Sequence, residues 1–261
     1  MDDSMYDLFA DVDGSHWWFE GRRQVVAAVL ERHLPRRPAG HPDRPSIVDI
    51  GCGSGAMLGM LDGFGQVTGL EMFEDAVTYC RQRYADVARI ELARIPDDLP
   101  RDGAYDVACA FDVVEHIEDD RTAVARIHDA VRPGGLFVSA VPAFPSLWGD
   151  TDVLSHHFRR YRRGPYCDLL RGAGFEIERA TYFNTWLFPP AAAVRWAKRL
   201  RRRTDRPPRA DLDLSDGRLD RILTAVFASE RHVVTRWSMP VGVSLLVVAR
   251  RPDADAQEAR P

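Results

Sequence analysis

"IVDIGCGSGAML", Ile47 to Leu58, is the stretch whose reading decides the fold. Apolar residues of strand character run into a turn carrying Gly51, Gly53 and Gly55, and then into a helical run. Glycine has no Cβ and enters the left-handed region freely, so a loop this bare lets a ligand approach the main chain closely. Two ligands meet that description. One is a dinucleotide, whose pyrophosphate sits on the helix N-terminus, and "GCGSGA" satisfies its G-x-G-x-x-G/A pattern. The other is S-adenosylmethionine, which carries no phosphate. The stretch by itself leaves both open.

Working outward, the first strand is Ser46–Ile50, followed by a helix from about Gly55. "QVTGLEM" reads as a strand, followed by a helix with Phe73, Ala76, Val77 and Cys80 inward. The strands "ARIELARI" and "YDVACAFDVV" lead to a helix with Val124, Ile127 and Val131 inward, then a "RPGG" turn into "LFVSAVPA". Strands alternating with helical crossovers predict a parallel α/β sheet covered on both faces. Upstream, "GRRQVVAAVLERHL" puts Val25, Val26, Val29, Leu30, His33 and Leu34 on one helical stripe, ended by Pro35. Downstream, "GFEIERATYF" and "VGVSLLVVAR" read as strands separated by two helical stretches and the linker "RTDRPPRADLDLSDG". An excursion that long reads as a functional cap.

The 261 residues suffice for one α/β domain with an insertion. A net charge of -4 and a pI near 6.1 argue against bulk electrostatic binding to nucleic acid. Cys52, Cys80, Cys109 and Cys167 are widely spaced with no CxxC, as expected of reduced thiols. "MDDSMYDLFADVDG" lacks the apolar core of a signal peptide, and no segment is long and apolar enough to span a bilayer, so a cytoplasmic location is expected. Glu71, about twenty positions past the first glycine, fills the place of an acid that holds ribose hydroxyls in either cofactor.

The stretches "YDVACAFDVVEHIEDD" and "VRPGGLFVSAVPA" discriminate between the ligands. With them the chain resembles the class I S-adenosylmethionine-dependent methyltransferases. Asp49-x-Gly51-x-Gly53-x-Gly55 looks like their first motif, Glu71 like their ribose acid, "FDVVEHIEDD" like their strand-four motif, and "RPGG" like the turn before strand five. More narrowly, "WWFEGR", "VPAFPSLWGDTDVLSHHFRRY", "YFNTWLFP" and "PVGVS" resemble segments of a bacterial branch acting on small molecules. The resemblance implies a Rossmann-like, mostly parallel seven-stranded sheet with helices on both faces. An N-terminal helix and a helical cap inserted before the last strand complete it. The expected organisation is a helical lid and linker over 1–45, a cofactor-binding core over 46–183, a cap over 184–240, the last core strand over 241–250 and a disordered tail over 251–261.

The resemblance implies S-adenosylmethionine as cofactor, with S-adenosylhomocysteine as product. It also implies contacts from Asp49, Gly51, Cys52, Gly53, Gly55, Glu71, Met72, Phe111 and Asp112. Arg94 and Ile95 stand where many members carry an Asp for the adenine amino group. Arg22 shares the inward stripe of the first helix and needs an anion, either the cofactor carboxylate or a structural partner. His116, just past strand four, is the first candidate base because its ordinary pKa suits the role. His156, His157 and Tyr161 in "SHHFRRYRR" are second candidates. No carboxylate or cysteine spacing matches the adjacent histidines, so no metal is expected.

Trp17 and Trp18 are candidate lid residues, and Arg160 a candidate for an anionic acceptor. Glu230 interrupts an apolar stripe of Leu219, Ile222, Leu223, Val226, Phe227, Val233, Val234 and Trp237, and is expected to contact substrate or pair with an arginine. The expected reaction is methyl transfer to a small molecule, oxygen before nitrogen; a natural product or a lipid- or sugar-linked metabolite fits. The rivals are a membrane-surface enzyme with a lipid-linked acceptor, touching the bilayer weakly through "NTWLFPPAAAVRWAKRLRRR", and a cofactor-binding protein without turnover. "FDVV" stands where amino-methylating nucleic-acid enzymes carry Asn/Asp-Pro-Pro-Tyr, which disfavours nucleic acid as partner.

Overall fold

The odd and even residues of Ser46–Ile50 face opposite ways, as the two-residue period of a strand requires. Ile47 joins one apolar layer, while Val48 and Ile50 join the other. The same alternation carries Val107, Cys109 and Phe111 to the first layer and Ala108 and Ala110 to the second. A computed structural model describes residues 16–34, 42–201 and 217–253. Its strands are β1 (Ser46–Ile50), β2 (Gln66–Glu71), β3 (Ala88–Leu92), β4 (Tyr105–Phe111), β5 (Val131–Pro142), β6 (Glu176–Phe183) and β7 (Ser244–Arg250). They form one sheet in the order β3-β2-β1-β4-β5-β7-β6. β1 to β5 pair in parallel, and β7 runs antiparallel to both β5 and β6. This is the expected Rossmann-like seven-stranded sheet.

The helices are α1 (Trp17–Leu30), α2 (Leu58–Asp62), α3 (Glu74–Arg83), α4 (Asp120–Ala130), α5 (Asp150–Leu154), α6 (Arg163–Gly172), α7 (Phe188–Arg201), α8 (Gly217–Ser229) and α9 (Arg231–Val234). α1 begins earlier than the periodicity predicts, because the His16 ring accepts from the Trp18 amide and starts the helix there. The helix expected from Gly55 is only the five-residue α2; Gly59, Gly63 and Gly65 each weaken a helix at this point. "RPGG" is not a turn before a strand. Tyr105 pairs with Val131 and Val107 with Leu136, so Arg132–Gly135 loops out inside β5 as a bulge.

The stripe expected around Glu230 holds only in part: Phe227 and Val234 are buried with Glu230, whereas Leu219, Ile222, Val226 and Trp237 are exposed. α8 ends at Ser229 and α9 starts at Arg231, with Glu230 itself in helical conformation between them. Phe227 packs against Phe183 and meets Trp17 edge-on. α8 lies close on α1: a Cβ added to Gly21 would stand 2.4 Å from the Phe227 ring. Among the described residues Glu230 has no arginine partner. One carboxylate oxygen accepts from the Thr185 amide at 2.6 Å and the Trp186 amide at 2.8 Å, tying α8 and α9 to the end of β6. Burial pushes its carboxyl up to about 7 despite those amides.

Two outcomes follow from this packing. Gly21→Ala lowers unfolding free energy by about 1–3 kcal/mol, and the loss shrinks in a Phe227→Leu background, as read from urea denaturation of the four-protein cycle. Ionisation of Glu230 opposes folding, so its stabilising contribution is present in acid and is lost as the pH rises through about 7. Glu230→Gln therefore gains on the order of 2 kcal/mol over the natural protein at about pH 8 and little at about pH 4, by the same measurement.

Candidate active site

β1, β2 and β4 end side by side, with β1 between the other two, where the strand order reverses direction. Ligands of open α/β sheets bind at the carboxyl ends of strands at such a point. The loop leaving β1 carries Gly51, Gly53 and Gly55 at φ of +66°, +57° and +87°, a region L side chains rarely adopt. The three have different neighbours. A Cβ on Gly51 would press on Val113 at 2.8 Å, and one on Gly55 on Tyr84 at 2.4 Å, whereas one on Gly53 would meet nothing within 4 Å. Gly51 and Gly55 are thus required by the protein's own packing, and Gly53 faces open space. Cys52 offers only its main chain, since its side chain is buried close to Gly69 and Cys80.

Glu71 closes the loop. Its carboxylate accepts from the amides of Met72 at 2.7 Å, Gly53 at 2.9 Å and Phe73 at 3.0 Å. Met72 next to it is exposed. Asp49 is buried, and burial pushes its carboxyl up to about 7; Arg22 opposes that rise and Glu71 adds to it. A hydrogen bond with Cys80, and then burial, raises the Cys52 thiol, and burial raises that of Cys109.

Arg22 finds its anion within the protein: its guanidinium pairs with Asp112 at 2.7 Å, just past β4. It also lies over the Trp18 ring at 4.8 Å and the Phe111 ring at 5.5 Å. Its Nε is buried without a partner. Asp112 takes φ +56°, a strained conformation for a residue with a side chain. Trp17 and Trp18 are therefore packed parts of the α1 layer, one on Phe227 and the other under Arg22.

Beyond Asp112 the chain makes a 3-10 turn, Val114–His116. The Phe158 amide donates to the Glu115 carbonyl at 2.8 Å and lays the "SHHFRRY" segment alongside. This brings His116 and His157 together edge-to-face, with ring centroids 4.5 Å apart. Ligand atoms of Glu115, His116 and His157 all lie within 4.8 Å of one another. Sequence reasoning missed Glu115, although the adjacent "EH" at the end of strand four was a visible signal. Glu115 is fully buried with neither carboxylate oxygen partnered, and burial, with the Asp112 charge, raises its carboxyl well above the usual range. Burial and His157 lower His116 to about 4, which makes it a weaker base than expected.

Other members of the segment hold it in place. His157 Nδ1 meets Asp152 at 2.9 Å, and Arg160 binds Asp152 at 2.7 Å and the Ala143 carbonyl at 2.8 Å. Burial works the other way, but His157 and Arg160 hold the Asp152 carboxyl at about 2. The buried Arg160 is thus spent on an internal pair and not on an anionic acceptor. The Tyr161 hydroxyl donates to Asp120 at 2.9 Å, and burial pushes it up, which does not suit a base. His156 is exposed at φ +55°. Arg94 is exposed as well, and its amide donates to Asp98; Ile95 is half-buried after it. On α7, Val194 and Trp196 are exposed, whereas Arg202 and Arg203, part of the expected membrane contact, lie outside the described residues. Among the described residues no helix is long and apolar enough to cross a membrane.

A family model described as a methyltransferase domain matches residues 18–180. A protein named a probable S-adenosylmethionine-dependent methyltransferase in Mycolicibacterium smegmatis is 33% identical over 62% of this chain and 61% of its own length. The match thus spans about three-fifths of that relative. The O-methyltransferase cnsE of Penicillium expansum is 28% identical over 67% of this chain and 69% of its own. In fold, the chain is similar to a geranyl diphosphate methyltransferase solved in complex with S-adenosylmethionine, with a TM-score of 0.55, 16% identity and coverage of 87% and 85%. With a family match over more than half its length, the chain belongs to the methyltransferase-domain family.

Proposed function

We propose that this chain transfers a methyl group from S-adenosylmethionine to an oxygen of a small molecule. The observation that carries the reading is the cradle at the sheet's carboxyl edge: a left-handed loop open at Gly53, with Glu71 beneath it. Glu71 already takes three amides, and ribose hydroxyls are further donors of the kind its carboxylate accepts. Asp49, held near neutrality by burial, gains a reason to ionise when the cofactor's ammonium group sits beside it.

Methyl transfer from a sulfonium is an in-line displacement with a good leaving group, so positioning and exclusion of water supply much of the catalysis. The acceptor's place is beyond Asp112, where Glu115, His116 and His157 converge. His116 presents an unprotonated ring there at neutral pH. The relative named an O-methyltransferase supports oxygen as the acceptor atom.

Calorimetric titration with S-adenosylhomocysteine should give saturable heat, with affinity weakened about 100-fold in Glu71→Ala. Unchanged affinity in that variant would remove Glu71 from the cofactor site, and no heat with the natural protein would end the proposal. His116→Ala should lower kcat at least about 100-fold on an accepted substrate while changing S-adenosylhomocysteine affinity less than about threefold. A natural kcat in that variant would exclude His116 from the chemistry.

A further inference from the structure

We infer that Glu115, His116 and His157 bind a divalent transition-metal cation at the acceptor end of the site. Two imidazoles and a carboxylate whose ligand atoms lie within 4.8 Å of one another form a three-ligand set. Such a set leaves coordination positions for water or substrate, as catalytic metal sites do. His157 Nδ1 meets Asp152 at 2.9 Å, an outer partner of the kind that fixes a ligating imidazole's orientation, and the other nitrogen of that ring is left for a metal. Asp152 is itself anchored by Arg160 at 2.7 Å.

Glu115 supplies the independent observation. It is fully buried, and both of its carboxylate oxygens lack a hydrogen-bond partner. A buried carboxyl with two idle oxygens costs folding free energy unless a cation or donor meets it. Arg22 and Arg160 contribute only through their charge, since each makes its close contact with another carboxylate. The donor set of two nitrogens and one oxygen favours zinc, manganese or iron over magnesium or calcium, which prefer oxygen alone.

The cation's role rests on the methyl-transfer reading above. It would hold the acceptor hydroxyl in an open position and ease loss of its proton to water, the unprotonated His116 ring serving there as a ligand and not as the proton acceptor. The oxygen lone pair then attacks the methyl carbon, the O–C bond forms as the S–C bond breaks, and the cofactor leaves as the neutral thioether.

Binding is tested on the full chain after chelator treatment, with no cofactor or acceptor present. Titration with Co²⁺ should give one saturable equivalent and a visible d–d absorption that Zn²⁺ displaces. Glu115→Gln and His157→Ala should each weaken binding at least about tenfold, while His232→Ala, an imidazole outside the cluster, leaves it intact. Circular dichroism and S-adenosylhomocysteine titration report whether each variant is folded. No saturable Co²⁺ or Zn²⁺ binding to the folded natural protein overturns the inference, as does binding that survives both cluster variants. S-Adenosylhomocysteine binding without metal binding sinks this inference alone; metal binding without it sinks the methyl-transfer reading instead.

Discussion

Glu71 holds the site together. Its carboxylate stands at the end of β2, yet it accepts the Gly53 amide from the loop after β1 and the Met72 and Phe73 amides from its own continuation. One side chain thus joins two neighbouring strand ends and holds the bare loop in its left-handed path. The buried charge is tolerable because three main-chain dipoles point at it. Asp49 lies close enough for the two carboxylates to influence each other, and its raised pKa is partly the electrostatic cost of that arrangement.

Around this centre the chain folds back to close the layer. α1 lies across the face that carries Asp49 and sends Arg22 to Asp112. Gly21 lets α8 approach until the Phe227 ring fills the place of a side chain, and Glu230 ties the same insertion to the end of β6. α1, α8 and α9 are thus one packed assembly over one face of the sheet. On the acceptor side the "SHHFRRY" segment is pinned by Asp152, Arg160 and Tyr161, and these anchors spend residues that otherwise look ready for substrate.

Much of this was legible from residue order. The apolar alternation of "SIVDI" and "YDVACAF", the glycine spacing and the position of Glu71 are local patterns, and each maps onto the element it predicted. The failures share a cause. Arg160 and Tyr161 look free to act in the sequence because their partners, Asp152 and Asp120, lie on other elements, and the partners of Glu230 are not an arginine but the amides of Thr185 and Trp186. Gly51 and Gly53 both read as sparing a ligand a Cβ, whereas Val113 occupies that space at Gly51 and only Gly53 faces open space.

Residue order alone determines the parallel sheet, the bare glycine loop and the acid beside it, because periodicity and glycine placement act over a few residues. Tertiary structure decided which polar groups remain available. Pairing across the fold consumes most of them and leaves Glu115 buried with both oxygens idle beside two imidazoles. That juxtaposition joins residues some forty positions apart through one main-chain hydrogen bond, Phe158 to Glu115, and no local spacing encodes it.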